Sequence, residues 1–403
     1  MKNERSTNIK TLAIYETDGQ IMEFTAKVIS CNKTNEGKYA LVLDKTAFFP
    51  EGGGQDRDEG FVGDSEVIDL FRDEDGNIVH IVGASYQEGD EVACRLDKEL
   101  RLSRMQNHSA EHIISGLIHN KFGYDNVGFH MSKKEVTLDV SGPISDKELA
   151  IIEREANEIV YRDLPIVISF PTENEAKNID YRSKLEIVDG LRLVTIEGVD
   201  ICACCAPHVA TTGQIGAIKI LAVMPHRQGM RITMIAGLDA FDDYKMLHED
   251  NRKIMALLSS KREDTAEFVE ALLSRNNAFK EENTRLKKEM TAFITQGVVE
   301  RIKKRKDSDE SCEVIFTNAL DNVGLRNLIN SCTDIFTGVV LGFIGNDDDG
   351  YKYIIGCNGD KNAGDIAKKI NAGFSGKGGG NTVMAQGSIQ GRKKEIEEFV
   401  KTL

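Results

Sequence analysis

The sequence predicts an α+β protein of several domains. The chain runs to 403 residues, too long for one ordinary core. Residues 1–95 read as short strands parted by turn residues, with no helical period. Farther on, one long helical stretch separates two α/β segments, the second opening with a new strand pattern. The expected division is a small β-barrel over 1–95, an α/β core with a metal site over 96–240, a helical linker or coiled coil over 241–310, and a C-terminal α/β domain over 311–403.

The elements follow in order. Residues 11–15, 24–29, 40–43 and 78–82 are runs of strand length. A small barrel is the natural closure for such strands. Between them, residues 46–55 read Thr-Ala-Phe-Phe-Pro-Glu-Gly-Gly-Gly-Gln, and Gly52, Gly53 and Gly54 permit positive φ and close approach of a ligand backbone. An apolar-periodic helix follows around Ile113, Ile114, Leu117 and Ile118, then a strand at 136–140. Ser145 and Glu148 form a capping box that opens a helix through about Tyr161. Strands are expected at 165–170, 191–196, 213–223 and 230–235, with a polar helix near Asn174.

In the long helical segment Leu272, Phe279, Leu286 and Phe293 recur every seven residues. Val269, Asn276, Asn283 and Met290 fill the complementary seam position, a pattern that suits a helical hairpin, a coiled coil or packing within the domain. After it come strands at 314–316, 338–344 and 353–356, a helix through Cys332 and a helix over 363–371. The run Gly376-Lys377-Gly378-Gly379-Gly380-Asn381 lacks the Ser or Thr of a Walker phosphate loop and reads as a turn, or as a loop apposing an RNA backbone.

Composition narrows the function. A net charge of −14 argues against indiscriminate binding of nucleic acid and leaves room for local basic patches. Arg301 to Lys306 is one such patch, and it reads equally as a solvated helix end. The polar N-terminus and the absence of a membrane-length apolar run predict no signal peptide and no membrane partner. Eight unevenly spaced cysteines do not read as a disulfide framework, so a reducing, cytoplasmic setting is expected.

Two short stretches carry the chemistry. In His108-Ser109-Ala110-Glu111-His112 the two imidazoles lie four apart and share one helical face. In Cys204-Cys205-Ala206-Pro207-His208 a thiol and an imidazole are spaced likewise across a stiff turn. Three histidines and one cysteine make a sensible set for a single Zn2+ per chain. Each half alone also arises by chance. Cys202 and Cys205 are rival thiols, but only Cys204 stands four residues from His208. Glu111 reads as a general base, a polar pocket wall or a solvated side chain, and His130 as a pocket residue or a surface histidine.

Together these motifs resemble the alanyl-tRNA editing proteins called AlaX and the editing half of alanyl-tRNA synthetase. The resemblance rests on residues 48–55, on His108-x-x-x-His112, and on Cys204-x-x-x-His208-Val209 with 212–216. Residues 229–237 and the glycine-rich 376–380 with 384–387 add to it. It spans nearly the whole chain, in order, and corresponds to the long AlaX form. It implies hydrolysis of the ester that joins serine or glycine to the tRNA for alanine, at a site with His108, His112, Cys204 and His208 on zinc. It further implies catalytic roles for Glu111 and His130 and substrate contacts from Gly52, Gly53, Gly54, Gln55 and Arg231. The implied partner is tRNA(Ala), its acceptor end in the core and its body against the C-terminal domain, with Arg301 to Lys306, Lys368, Lys369 and Lys377 at its phosphates. A homodimer would form through the helical segment or the C-terminal domain.

Two positions depart from the family pattern. Glu111 stands where synthetase editing sites commonly carry Thr, and Cys205 replaces a Gly; both bear on the amino-acid pocket. A tRNA-binding module with a purely structural zinc, or an editing domain for another mischarged tRNA, is the alternative reading. A DHH phosphoesterase is not supported, because no Asp-His-His run occurs.

Overall fold

The computed structural model describes residues 10–132, 136–183, 190–304 and 312–403. The chain forms two compact units, Met1–Lys253 and Ile254–Leu403.

The first unit opens with a closed six-stranded barrel. Its strands, in order around the wall, are Glu23–Lys33, Tyr39–Leu43, Ile78–Val82, Ser65–Arg72, Gly60–Val62 and Glu91–Leu96. Apolar residues alternate inward, so Val28, Leu41, Leu43, Val67, Leu70 and Val92 fill the lumen. The expected strand over 11–15 is shorter than predicted. Only Leu12–Ala13 pairs, and Ile14–Glu16 turns into a 3-10 helix that buries Tyr15.

Helix α1 (Lys98–Phe122) leaves the barrel and runs through the middle of this unit. Asp97 caps it, accepting from the amide of Leu100, and Gly123 ends it at φ +69°. Almost every residue from Arg101 to Ile118 is buried, polar ones included. That is sustainable because each buried polar side chain finds a partner from another element. Arg101 pairs with Asp58 and donates to the carbonyls of Gly19 and Ala47. Asn107 bonds Asp239 and the amide of Ala236. Around α1 stand α2 (Asp146–Tyr161), opened by the Ser145/Glu148 capping box, the one-turn α3 (Glu173–Ala176), and two antiparallel sheets. One sheet has the order Ile218–His226, Gly229–Ala236, Val136–Val140, Asn126–Met131; the other joins Ile166–Ser169, Leu193–Ile196 and Asp200–Ala203. Ile113, Ile114, Ile118, Leu138, Ile152 and Val194 are fully buried between them. Helix α4 (Leu238–Leu258) follows.

The second unit holds α5 (Thr265–Lys304), a single helix of 40 residues. Its seam residues Leu272, Phe279, Leu286 and Phe293 are exposed, whereas Val298 and Ile302 near its end pack on α6 (Asn322–Thr333). A five-stranded sheet runs Cys312–Phe316, Gly338–Asn346, Gly350–Asn358, Met384–Ile389, Lys377–Gly380. Alternation along the second strand sends Val340 toward α6 and Val339, Leu341 and Phe343 toward α7 (Ala363–Gly373) and α8 (Lys393–Val400). The glycine-rich run is not the expected turn but an exposed edge strand. A Cβ at Gly380 would sit 2.1 Å from the Met384 carbonyl, so this close pairing excludes a side chain. Arg305 and Lys306 of the expected basic patch lie outside the described residues. Among the described residues no helix is long and apolar enough to cross a membrane.

Candidate metal centre

His108 and His112, one turn apart on buried α1, meet Cys204 and His208 from the loop after Asp200–Ala203. One donor atom from each lies within 4.8 Å of all the others. The Cys204 Sγ is 3.3 Å from His208 Nε2 and 3.6 Å from His108 Nε2. Four ligands at tetrahedral angles and zinc bond lengths would stand about 3.3–3.7 Å from one another. The two Cys204 separations fall in that range.

Each imidazole is steered from behind. His108 Nδ1 bonds Gln55 Oε1 at 2.7 Å, His112 Nδ1 bonds Asp200 Oδ2 at 2.9 Å, and His208 Nδ1 bonds Ser109 Oγ at 3.0 Å. With Nδ1 occupied outward, the Nε2 atoms are left for the centre, the arrangement by which metal-bound histidines are usually oriented. Asp200 is itself fixed by Arg182, which donates from Nε at 2.7 Å and Nη2 at 2.9 Å and also reaches Ser115 at 2.7 Å. The Cys204 loop is clamped by buried Arg192, whose Nη1 donates to the carbonyls of Cys204 and Ala206 at 2.6 and 3.0 Å.

The electrostatics at Cys204 and His208 agree with a ligand role. Burial alone would raise the Cys204 thiol, but the neighbouring His108 and His208 rings and its hydrogen bonds outweigh this and hold it well below its ordinary value. Burial pushes His208 down to about 3, so its ring is neutral. Burial also works against a charged His112, but its bonds to Asp200 and Cys204 prevail and hold that ring well above its ordinary value. Thiolate and neutral imidazole are the forms a metal binds, so Cys204 and His208 stand ready, whereas His112 must release its proton to an entering ion. Of the rival thiols, Cys202 is raised by burial to about 11, and Cys205 is exposed outside the cluster. Cys202 groups with His112 and Asp200, but there the carboxylate is already held by Arg182.

A cleft of about 1260 Å³ opens beside the donors, walled by Gly53, Glu111, Phe129, Arg182, Asp200 and Cys202 among others. Glu111 is only 4% exposed, so it is not the solvated side chain that one reading of the sequence allowed; Asn126 Nδ2 donates to its Oε1 at 2.5 Å. Gly54, at φ +87°, packs so tightly that a Cβ would lie 2.2 Å from the Phe129 carbonyl. Together with the Met131 amide bond to the Gly54 carbonyl, at 2.7 Å, this docks the barrel loop on the core and delivers Gln55 to His108. Gly53 alone of that run faces the main cleft.

Two expected site residues fall elsewhere. His130 alternates with Phe129 along its strand, is exposed and does not line the cleft. Arg231 lies on the neighbouring strand pair, bonded to Asp139 at 2.7 and 2.8 Å, and is likewise not part of the cleft wall. Conversely, Asp200, Arg182, Ser109 and Asn126 were not foreseen. Their partners are 15 to 99 residues distant in sequence, and no local period marks them.

Comparison with known proteins agrees with this architecture. Residues 2–100 match the class II (A) tRNA synthetases, 191–233 the threonyl and alanyl tRNA synthetase second additional domain, and 309–403 the DHHA1 domain. The alanyl-tRNA editing protein AlaX-L of Pyrococcus horikoshii is 25% identical over 95% of this chain and 96% of its own length. Over nearly its whole length the chain is similar to this alanyl-tRNA editing protein. A second editing protein, Aarsd1 of Danio rerio, is 26% identical over 70% of this chain and 72% of its own. Alanine–tRNA ligase of Pyrococcus abyssi is 32% identical over 98% of this chain, which spans 44% of that ligase. Cys204 and His208 fall inside the second additional domain match.

Proposed function

We propose that the chain deacylates mischarged tRNA(Ala) in trans, hydrolysing the ester that links serine or glycine to the terminal adenosine. The convergence of His108, His112, Cys204 and His208 beside an open cleft carries this reading. These four residues would hold one Zn2+. When bound, zinc supplies a Lewis acid that polarises an ester carbonyl or acidifies a water. The chain does the rest. Gln55, Asp200 and Ser109 keep the imidazoles aimed, and Phe129, packed 4.9 Å from the His108 ring, shields one side of the centre from solvent. Glu111 presents a carboxylate to the acyl group in the cleft. A second sieve is chemically necessary because a small apolar pocket separates serine from alanine by only about 10–200-fold.

In this reading the core takes the tRNA acceptor end and the C-terminal domain takes the tRNA body. Lys303, Lys304, Lys369 and Lys377 are the stronger phosphate candidates, since Arg301 is engaged by Glu313 at 2.9 Å and Lys368 by Asp365 at 3.0 Å. The exposed heptad face of α5 is the surface through which two copies would pair.

One observation favours a second reading. Four protein donors describe a closed, structural zinc, whereas catalytic zinc usually keeps a position open. In that case the protein binds tRNA(Ala) without cleaving the ester. Incubating it with Ser-, Gly- and Ala-tRNA(Ala) separates the two. The deacylase reading predicts loss of the serine and glycine esters and sparing of alanine; equal loss of all three, or of none, contradicts it.

A further inference from the structure

We infer that Glu111 reads the α-ammonium of the aminoacyl group, so that the site accepts esters of free amino acids and rejects esters whose amine is blocked. The inference rests on the deacylase reading and names the chemical class of substrate for it.

Glu111 is 4% exposed, lies next to His112 in sequence and lines the cleft. Its orientation is imposed by a short chain of bonds. The Gly128 amide donates to Asn126 Oδ1 at 3.1 Å, which fixes the Asn126 amide and turns its Nδ2 toward Glu111. Nδ2 donates to Oε1, and Oε2 has no donor among the described residues. Nor, among the described residues, is a cation paired with it. Arg182 is near enough to feel its charge but directs its Nε and Nη2 to Asp200 and Ser115. A buried carboxylate with one oxygen left to a cleft is costly unless a donor arrives, and a cationic donor compensates best.

An aminoacyl ester carries one fixed cation, its α-ammonium, two bonds from the carbonyl carbon under attack. Glu111 lines the same cleft as His108, His112 and Cys204, where such a substrate would lie. Gripping the ammonium would set the acyl carbon at the centre whatever the side chain, so serine and glycine would benefit alike. It would also exclude peptidyl-tRNA and N-acylated aminoacyl-tRNA, whose ester-bearing residue has an uncharged amide. Glu111 in this role touches substrate but takes no proton from water.

The test compares Ser-, Gly- and N-acetyl-Ser-tRNA(Ala) with the zinc-loaded full-length protein and its Glu111→Gln variant. Zinc content and melting temperature of the variant serve as the control for folding. Loss of a charge-assisted bond is worth about 10- to 100-fold. The parent should therefore hydrolyse Ser-tRNA(Ala) about 10- to 100-fold faster than the N-acetyl ester. The variant should slow the serine and glycine esters by that factor and leave the N-acetyl ester unchanged. Equal rates on free and acetylated esters in the parent would overturn the inference while leaving the deacylase reading intact. So would a variant that slows all three esters alike, the mark of a general base, or one that slows serine but not glycine, the mark of a hydroxyl reader. A parent that hydrolyses none of them removes the deacylase reading and this inference together. Binding of a non-hydrolysable 3′-seryl-amide adenosine supplies an independent readout: N-acetylation should weaken it for the parent and not for Glu111→Gln.

Discussion

Replacing Asp200 by Asn tests whether the outward hydrogen bonds hold the metal site in shape. Asp200 accepts from His112 Nδ1 at 2.9 Å and from Arg182 at 2.7 and 2.9 Å, so three bonds converge on one buried carboxylate. Asn keeps the shape but removes the charge and one acceptor. Two costs follow. His112 loses its charged anchor, and outer-sphere partners of this kind are worth about 10–100-fold in metal affinity. Arg182 is left half-buried against a neutral partner, and breaking a buried pair typically costs about 3–5 kcal/mol. Because the Asn oxygen still accepts one bond, the expected loss of stability lies at or below the lower end of that range. Competition with a chromophoric chelator measures the affinity, and thermal unfolding of the metal-free protein measures the stability. Zinc affinity within about twofold of the parent would refute the idea that Asp200 positions His112, whatever happens to stability.

Other expectations follow from the same contacts. Asp58→Ala leaves Arg101, fully buried, without its carboxylate, and should destabilise the first unit by about 3–5 kcal/mol in denaturant unfolding. Gly54→Ala places a methyl against the Phe129 carbonyl at positive φ, so it should displace Gln55 from His108 and lower both melting temperature and zinc affinity; an unchanged affinity would show that the barrel loop does not support the site. His80, bonded to Thr46 inside the barrel, is pushed by burial from its ordinary 6.5 down to about 4. The unfolded chain takes up this proton first, so stability should be lost as pH falls from about 6.5 to 4, by about 3 kcal/mol in all. Chemical denaturation of the parent and of His80→Gln across that range measures the loss, and an identical slope in the variant would acquit His80.

Much of the fold was legible because local rules sufficed. The barrel could be read from strand-length runs and turn residues, and the Ser145/Glu148 box marks the start of α2. The histidine spacing on α1 was visible because four residues place two donors on one helical face, and the Cys204–His208 pair because its spacing repeats that interval in a loop. What the sequence concealed is the burial of α1 on all sides. A helix with Arg101, Gln106, Asn107, Glu111 and Ser115 looks amphipathic until its partners are known, and each partner comes from far along the chain. The same blindness hid Asp200 and Arg182. His130 and Arg231 lie outside the cleft wall for a different reason. Both sit on strands, where a shift of one residue decides between cleft and solvent, and the sequence near them lacks the alternation that would set the face. The edge strand Lys377–Gly380 was missed because glycine weakens strands in general, whereas here the narrow gap to Met384–Ile389 demands it.

The central claim is that three imidazoles and one thiolate from distant segments hold a single zinc ion beside the cleft. X-ray absorption at the zinc edge, on protein purified without chelators, reads that shell directly. The account predicts one zinc per chain with three nitrogen ligands and one sulfur at about 2.0–2.1 and 2.3 Å, and loss of the sulfur shell in Cys204→Ser. Protein that carries no zinc, or a nitrogen–oxygen shell indifferent to that substitution, would contradict it.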